Sequence, residues 1–465
     1  MFNHKSTKSA IFTVVAVLIV AAVMLTACNG NAFKPVEMPA DATPEGNGGN
    51  AVKYGEWLYY VNGYQSSASA ENTYEQIDAR VGAIARIKIT DLESLFAVHD
   101  DPKFTTSSAR TEEIAKIVAD KAEIVVPKFY YSGNTTSTYV NGIYIYDNRL
   151  YMLTPNDELT AGGNSQTSQS VLTSFKLDGS DEQRHYVFTN NAAQVMFVEG
   201  EQKLMALYIM GTEVGALDVK AGTVVKVEET SGAQIDAAGK AVFYIKDKAI
   251  CKLNAADSEG KVVVANDKDG SVTYTISNVN NGYVYYTKAD SNNSSVDGTR
   301  VYYAQEGAAT EDLVALKASA PSSNWYGYKG GIVKSFTDSK SDSKVTLYGI
   351  NVLTNEGEVV KQIVNPVQNS SAITFNRIEG SILYYTCNNV AYKVDLEDNV
   401  GPIAFGRSLA SASGWSVPDI VFENDEFNYV ITLGTGSVTA VKFDNAKREN
   451  ISSVTLTIVQ PTEEE

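Results

Sequence analysis

Few residues in this sequence have the types and spacing that acid–base chemistry requires. His99 is followed at once by Asp100 and Asp101, and an imidazole beside carboxylates can serve as a general acid or base. The same run is typical of a loop between a strand and a helix, which is the interpretation we favour. His185 has no partner at a metal-ligand spacing, and the chain contains no HExxH, CxxC, P-loop or G-x-S-x-G motif. No catalytic residue is therefore predicted.

Two polar stretches have side-chain oxygens at spacings that could bind calcium. The first comprises Asp290, Asn292, Ser294 and Asp297, and the second is the run NDKDG with Asp267 and Asp269. Neither stretch has the terminal glutamate and the fixed glycine of an EF-hand loop. Ordinary polar turns explain both better, so we expect no metal ion and no cofactor.

The N-terminus places a cysteine directly behind an apolar run. Lys5 and Lys8 precede residues 10–25, which include no charge, and Cys28 follows three residues later. A cationic start, an apolar core and small residues before a cut are typical of a secretory signal. The apolar run is shorter than the roughly 20 residues that a membrane-spanning helix needs.

The run Leu25-Thr26-Ala27-Cys28 resembles the lipobox of bacterial lipoproteins. The resemblance implies cleavage before Cys28 and attachment of a diacylglyceryl group to its thiol, and two acyl chains make a lasting anchor. We therefore expect a signal peptide at residues 1–27, a flexible Gly- and Pro-rich stalk at 28–53, and a location on the extracytoplasmic face of a cell membrane. The alternative is a plain signal peptide or uncleaved anchor, with Cys28 incidental.

The composition limits the partners. The formal net charge is −17, which repels phosphate backbones and makes a nucleic acid an unsuitable partner. Besides Cys28, the chain has only Cys251 and Cys387, too few for a disulfide-stapled domain. Aliphatic and aromatic residues suffice for a core without disulfides, and helical periodicity is scarce. The bulk of the chain should be all-β.

A repeated hairpin predicts the architecture. The segment FYIKDKAICKLN (243–254) aligns without a gap with YYTCNNVAYKVD (384–395), and YIYDNRLYMLT (144–154) fits the same plan. Asn, Asp and Gly between β-rich runs are the residues that tight hairpin turns require. Eight such hairpins follow one another at about 50 residues, the range of propeller blades.

We therefore predict a β-propeller of seven or eight four-stranded blades over residues 54–450, followed by a C-terminal strand and acidic tail at 451–465. A pair of β-sandwiches is the alternative, but sandwiches do not predict a fixed period. The alignment places Cys251 in a strand core and Cys387 beside a turn near the surface. They are too far apart for a disulfide, so we expect two free thiols.

The YYT of residues 285–287 and of residues 384–386 resembles the YWTD repeat of low-density-lipoprotein-receptor-type propellers and of related bacterial lipoproteins. Where that family has an aspartate, this chain has Lys288 and Cys387. The resemblance therefore implies a propeller but not the family's network of aspartates between blades.

Two segments depart from the repeat. In residues 100–127 we predict a short helix at 111–121, capped by Ser107 or Ser108, as an insertion in the first blade after a closing strand at 85–91. Residues 159–170 are predicted to form a mobile loop.

Two tryptophans suggest a ligand-binding role. Trp325 and Trp415 lie in Ser-rich approaches to the first strand of a blade. Indole rings in loops at one propeller face can stack on sugars or on partner side chains, whereas the alternative is that both rings are core wedges between blades. We expect a non-catalytic recognition module for a protein or an envelope glycan. The alternative is a propeller enzyme, a glycosidase or lyase, with acids and a histidine at the channel mouth.

Overall fold

The structure is a computed structural model in which the chain folds as consecutive antiparallel sheets of four strands. It describes residues 36, 38–39, 41–63, 82–127, 142–189, 194–200, 203–266, 269–296, 298–306, 311–314, 324–339, 346–366, 372–388, 390–407, 420–423, 426–434, 437–444 and 449–458. Within these residues there are eight sheets, and each is hydrogen-bonded in chain order.

Each sheet is one blade, and its strands run in sequence from first to fourth. Blades 1 to 4 consist of β1 (Ala51–Tyr54), β2 (Trp57–Val61), β3 (Ile84–Lys88), β4 (Glu123–Val126); β5 (Tyr144–Tyr146), β6 (Arg149–Leu159), β7 (Ser165–Lys176), β8 (Gln183–Phe188); β9 (Gln194–Glu199), β10 (Leu204–Met210), β11 (Glu213–Asp218), β12 (Thr223–Val227); and β13 (Ser231–Asp236), β14 (Ala241–Lys246), β15 (Ala249–Asn254), β16 (Lys261–Val264). Blades 5 to 8 consist of β17 (Val272–Asn280), β18 (Tyr283–Asp290), β19 (Val301–Gln305), β20 (Glu311–Asp312); β21 (Trp325–Tyr328), β22 (Gly331–Ser339), β23 (Thr346–Leu353), β24 (Val359–Val364); β25 (Thr374–Glu379), β26 (Ile382–Cys387), β27 (Val390–Asp395), β28 (Ile403–Arg407); and β29 (Ile420–Glu423), β30 (Phe427–Gly434), β31 (Ser437–Asp444), β32 (Glu449–Thr455).

The blades form a closed ring because apolar side chains fill the space between each blade and the next. Leu153 of blade 2 packs in one cluster with Tyr208 of blade 3, and Tyr285 of blade 5 in another with Ile332 of blade 6. A single larger cluster joins blades 8, 1 and 2. Each sheet thus buries both faces against its neighbours, which a lone four-stranded sheet cannot do. The protein is an eight-bladed β-propeller, which confirms the predicted fold and selects eight blades over seven.

Tight turns explain the repeated hairpins. The predicted turn residues Asp147 and Asn148 have φ values of 47° and 56°, and Asp247 and Lys248 have 50° and 60°. Two consecutive residues at positive φ match the twist of the flanking strands, as type I′ turns require. The hairpins predicted at 144–154, 243–254 and 384–395 are therefore confirmed.

The ring has two distinct faces. Connections from first to second and from third to fourth strands lie at one end, here called the turn face. Those from second to third strands and from each blade to the next lie at the other end, here called the loop face. The first strands of neighbouring blades approach each other, as β13 does β17, while fourth strands such as β24 are largely exposed. The first strands therefore surround the axis and the fourth strands form the rim.

Two helices are inserted between β3 and β4, where one was predicted. The predicted helix at 111–121 is α2 (Ser107–Lys121), and its cap is Thr106, whose Oγ1 accepts a hydrogen bond from the Ala109 amide. The helix before it, α1 (Ile89–Asp100), was not predicted, and the closing strand predicted at 85–91 ends at Lys88. Leu92, Leu95 and Phe96 of α1 have helical spacing and are buried. No described helix is long and apolar enough to cross a bilayer.

The insertion covers the seam where blade 8 meets blade 1. Phe96 is 1% exposed, and its ring centroid lies 5.9 Å from that of Tyr429 in blade 8. At the same seam the Tyr60 hydroxyl donates to the Leu456 carbonyl at 3.0 Å. The Asn62 side chain exchanges two hydrogen bonds with the backbone of Ile458, at 3.1 and 2.9 Å. Side chains, rather than a strand shared between the chain ends, hold the ring closed.

Two further predictions were wrong. Residues 159–170 are the turn and strand ends of the β6–β7 hairpin rather than a mobile loop, because the two strands continue to pair beyond the usual blade length. Cys387 is 1% exposed, since its side chain packs in the cluster joining blades 6, 7 and 8, whereas Cys251 is buried as predicted. Both cysteines are free thiols, as predicted.

The substitution Phe96→Ala tests the role of α1 at the seam. Removing a buried ring that bridges the helix and blade 8 should lower the free energy of unfolding by about 3–5 kcal/mol. Chemical denaturation followed by intrinsic fluorescence measures the change. Glu112→Ala, on the exposed side of α2, is the control and should change the stability by no more than about 0.5 kcal/mol. A loss below about 1 kcal/mol for Phe96→Ala would show that the helices do not hold the seam.

Candidate functional site

The inner edges of the first strands define the centre of the molecule. A first strand pairs with the second strand on one side, and no strand of its own blade covers the other edge. Backbone N–H and C=O groups on such an edge need partners when they are removed from water. Amide side chains from neighbouring blades supply many of these partners.

Two asparagines pair with the next blade as a short piece of strand would. The Asn47 side chain, just before blade 1, donates to the Ile145 carbonyl at 3.0 Å and accepts from its amide at 2.6 Å. Asn324, just before β21, donates to the Ile373 carbonyl at 2.7 Å and accepts from the Phe375 amide at 3.2 Å. A carboxamide has one donor side and one acceptor side, which lets it satisfy both kinds of backbone group.

Other polar side chains act on the same edges with single bonds. Gln234 of blade 4 donates to the Ile276 carbonyl of blade 5 at 3.2 Å. Asn278 of blade 5 accepts from the Gly327 amide of blade 6 at 2.9 Å. In blade 6 the Tyr326 hydroxyl donates to the Asn376 carbonyl of blade 7 at 2.8 Å.

Irregular pairing on the first strands helps to place these side chains. The register with the second strand shifts between Ile276 and Asn278, and again between Phe375 and Arg377. First strands of blades 4 and 8 have similar shifts. A bulge adds one residue, bends the strand and re-aims its side chains. The bulge before Asn278 thus lies next to the amide that reaches blade 6.

At the turn face, the carboxylate of Asp236 binds backbone amides of the neighbouring blade. Asp236 is 1% exposed and accepts from the amides of Gly239, Asn281 and Gly282 at 2.8, 2.9 and 2.6 Å. Burial raises the pKa of Asp236, although the three amide donors act in the opposite direction. This carboxylate joins blade 4 to blade 5.

The loop face is the end of the ring at which second strands connect to third strands and each blade connects to the next. The hairpin of β6 and β7 projects from the same face, and Leu159 near its tip is 65% exposed. Arg184 bonds Asp157 at 2.5 Å and Asn156 at 2.6 Å, which braces the base of the hairpin.

The predicted site residues differ in where they lie. Trp325 begins β21 at the loop face and is 8% exposed, and its ring lies edge-on to Tyr285 at 6.5 Å. This placement is that of a core wedge between blades, and a role of Trp325 in ligand binding stays a prediction. Trp415 and Cys28 lie outside the described residues.

His99 and His185 lie on different elements, and neither is on a first strand. His99 is the penultimate residue of α1, in the insertion that starts at the turn face, and its Nδ1 lies 2.8 Å from the Asp100 carboxylate. His185 lies on β8 at the rim, and its Nε2 is 2.8 Å from the Ser174 hydroxyl. Asp101 binds the Lys103 amide in a turn. Among the described residues, neither His99 nor His185 is therefore placed at the inner strands, where the channel mouth lies.

Ser174 and His185 form a pair that resembles a nucleophile and its base. Ser174 is fully buried, and its hydroxyl also accepts from the Arg149 guanidinium at 3.1 Å. Burial lowers the pKa of His185, and the positive charge of Arg149 lowers it further. The hydroxyl has no access for a substrate, so the pair holds blade 2 together rather than performing nucleophilic catalysis.

The two stretches considered for calcium form turns where they are described. The Asp290 carboxylate accepts from the Asn292 amide at 2.8 Å, an Asx-turn contact, while Asp267 and Asp297 lie outside the described residues. In the part of the chain that the structure describes, no three His, Cys, Asp or Glu side chains come together in a metal-binding arrangement.

Comparison with known proteins adds nothing specific about function. No family model and no curated protein matches the chain. Among solved structures, a eukaryotic initiation factor is 12% identical, with 92% of each chain covered and a TM-score of 0.37. The polysaccharide lyase Uly1 is 9% identical, with 68% of this chain and 92% of the other covered and a TM-score of 0.34. An uncharacterised protein of Listeria monocytogenes is 7% identical, with 70% and 93% covered and a TM-score of 0.33.

The amides between blades were not identified from the sequence, although a pattern for them exists. Gln234, Asn278 and Asn324 follow one another at intervals close to the blade repeat. Each lies within or just before a first strand, where the alignment of hairpins did not extend. Asparagine also occupies turns in this chain, as Asn148, Asn281 and Asn388 do, so its spacing alone does not separate the two roles.

The substitution Asn324→Leu tests the amide pairing. Leucine keeps the approximate size but loses both hydrogen bonds, which leaves the Ile373 carbonyl and the Phe375 amide without these partners. We expect a loss of about 1–3 kcal/mol in unfolding free energy, measured by chemical denaturation. Asn266→Leu, which loses one exposed bond to the Asp247 carbonyl, is the matched control. Equal, small effects of the two substitutions would contradict the role assigned to Asn324.

The lowered pKa of His185 predicts an acid-sensitive contribution to stability. The ordinary pKa of histidine, which applies in the unfolded state, is about 6.5. As the pH falls through this value, the unfolded state binds more protons than the folded state. The stabilisation from neutral His185 is therefore fully present above about pH 6.5 and is lost once the pH is below the folded-state pKa of His185. The difference in unfolding free energy between pH 8 and pH 5, measured by chemical denaturation, should be smaller for His185→Gln than for the wild type. An equal or larger difference would contradict this assignment.

Proposed function

We propose that the protein is a lipid-anchored recognition module on the extracytoplasmic face of a cell membrane. Its propeller would bind a protein or an envelope glycan through the loop face without catalysing a reaction. The observation that carries this proposal is the β6–β7 hairpin, which pairs beyond the usual blade length and projects from the loop face. A rigid ring that presents long loops is a common way to build a binding surface.

The net charge of the chain restricts the class of partner in this proposal. With a formal charge of −17, the chain repels polyanions, so a neutral or cationic partner is favoured over nucleic acid or an acidic polymer. The proposal needs no cofactor. The enzyme alternative, a glycosidase or lyase, is tested by the same experiment as the binding function.

The N-terminal anchor is the second part of the proposal. Cys28 follows an apolar run with a cationic start, and a diacylglyceryl group on its thiol would hold the propeller at the membrane through the segment that precedes β1. The lipid bilayer is thus a partner of the N-terminus, and the loop face stays available for a second one.

A capture experiment with matched substitutions tests the binding function. The full chain is immobilised and exposed to solubilised envelope of the source cells, and the captured material is analysed by mass spectrometry. Leu159 at the loop face and Val400 at the turn face are 65% and 60% exposed, so Leu159→Glu and Val400→Glu make the same change on opposite faces. We expect about tenfold less capture with Leu159→Glu and no change with Val400→Glu. Trp415→Ala is included because its ring was predicted to bind the ligand.

Two results would contradict the binding function. Capture that Val400→Glu reduces as much as Leu159→Glu would mean that the loop face is not the binding surface. Glycan fragments that shorten with time on the immobilised protein would instead favour the enzyme.

Metabolic labelling with a fatty-acid analogue tests the anchor. The wild type should incorporate the label and fractionate with membranes, whereas Cys28→Ser should do neither. Cys251→Ser, which changes a buried thiol, is the control and should label like the wild type. Equal labelling of Cys28→Ser and the wild type would exclude Cys28 as the site of acylation.

A further inference from the structure

The turns between first and second strands meet near the axis at the turn face. Asn280 ends the first strand of blade 5 and is 2% exposed. Its side chain donates to the Gly380 carbonyl at 3.0 Å and accepts from the Gly380 amide at 3.0 Å. Gly380 lies in the turn of blade 7, so this pair of bonds passes over blade 6. Asn280 also donates to the Gly327 carbonyl of blade 6 at 3.4 Å.

The turn of blade 4 belongs to the same group. Asp236 binds the amides of Asn281 and Gly282 in the blade 5 turn. A Cβ placed on Gly380 would lie 3.5 Å from the Ala238 Cβ. Gly239 is so close to this junction that a Cβ there would lie 2.7 Å from the Gly282 nitrogen, a distance that side chains do not adopt. Glycines at these turns permit the close approach.

The geometry of an eight-membered ring gives these contacts their meaning. Blades 4 and 7 are separated by two other blades, so their inner turns touch only if both reach towards the axis. Blades 5 and 7 are likewise not neighbours, and their turns exchange two hydrogen bonds. The inner turns of blades 4, 5 and 7, together with the first strand of blade 6, therefore converge towards the axis at one face.

We infer that these turns seal the axis at the turn face, so that a ligand on the axis reaches it from the loop face. Only the statement that a ligand binds on the axis rests on the proposed function; the seal itself does not. A ligand on the axis would enter and leave through the loop face and would stop at the Asn280–Gly380 contact. The binding mode is then recognition of a chain end or a projecting loop, and a polymer threaded through the ring is excluded.

The polar groups at the seal are bonded to one another. The Asn280 carboxamide bonds Gly380 and Gly327, the Asn278 oxygen accepts from the Gly327 amide, and Asp236 accepts from three backbone amides. These carboxamides therefore hold the turns together and are not available to a ligand.

Two cysteine pairs test the seal without any ligand. Ala238→Cys/Gly380→Cys joins blades 4 and 7 at the turn face, where the Cβ separation is that of a disulfide. Ser231→Cys/Thr374→Cys is the matched control, because it changes the same two first strands where they begin at the loop face. Both pairs are made in the full chain with Cys28→Ser, and Cys251 and Cys387 are buried. Oxidation should form a disulfide in the turn-face pair, which removes its two free thiols, and should form none in the loop-face pair.

Formation of both disulfides, or of the loop-face one alone, would overturn the inference. Gly380 has a φ of 61°, so a cysteine there can impair folding, and hydrogen–deuterium exchange provides a second test. Asn280→Ala should speed exchange of the Gly380 amide, and slow exchange must be seen first in the wild type. Rapid exchange of that amide in the wild type, or a folded turn-face pair that keeps its thiols, would overturn the seal. Failure of the proposed function is distinguishable, because it gives no capture from the envelope while the turn-face disulfide still forms.

Discussion

The first strand of every blade has a backbone edge that faces the axis and that no strand of the same blade can pair with. Much of the rest of the structure depends on how this edge is satisfied. Asn47, Gln234, Asn278 and Asn324 extend carboxamides to the first-strand edge of the next blade. At the seam, Asn62 bonds the backbone of Ile458 beyond the fourth strand of blade 8. Apolar packing supplies the bulk of the stability.

Because the inner edges are held from blade to blade, the ring closes without a strand shared between its ends. The seam is instead covered by α1 and by the contact of Phe96 with Tyr429. The same need for partners draws the turns of blades 4, 5 and 7 together, where Asn280 and Asp236 bond to neighbouring turns. At the turn face, blades 4, 5 and 7 thereby present short, mutually bonded turns, and the helical insertion of blade 1 starts at the same face.

The repeat was predictable from the sequence because tight hairpins impose residue types. Asp147-Asn148 and Asp247-Lys248 occupy positions with positive φ, and their spacing gave the blades. Helix α1 was missed because its apolar residues follow a strand directly and acquire their helical role only by packing on blade 8. The burial of Cys387 and Trp325 also depends on which side of a blade meets its neighbour. Spacing within one chain segment contains no information about that contact.

The amides at the inner edges mark the limit of sequence reasoning for the site. An asparagine in a turn and an asparagine that reaches the next blade look alike in a single sequence. Only the closed ring distinguishes them, because it brings Asn324 against Ile373 and Phe375. The same holds for His185, whose neighbour Ser174 lies on another strand and whose position at the rim separates it from the loop face.

Hydrogen–deuterium exchange of the wild-type chain tests most directly whether side-chain amides satisfy the inner edges. The informative backbone amides are those of Ile145, Gly327 and Phe375, which donate to Asn47, Asn278 and Asn324. If the side-chain amides satisfy the inner edges, these three backbone amides exchange as slowly as amides of the second strands, which are paired on both sides. Exchange as fast as that of the exposed fourth-strand edges would contradict this role, because the inner edges would then be open to water.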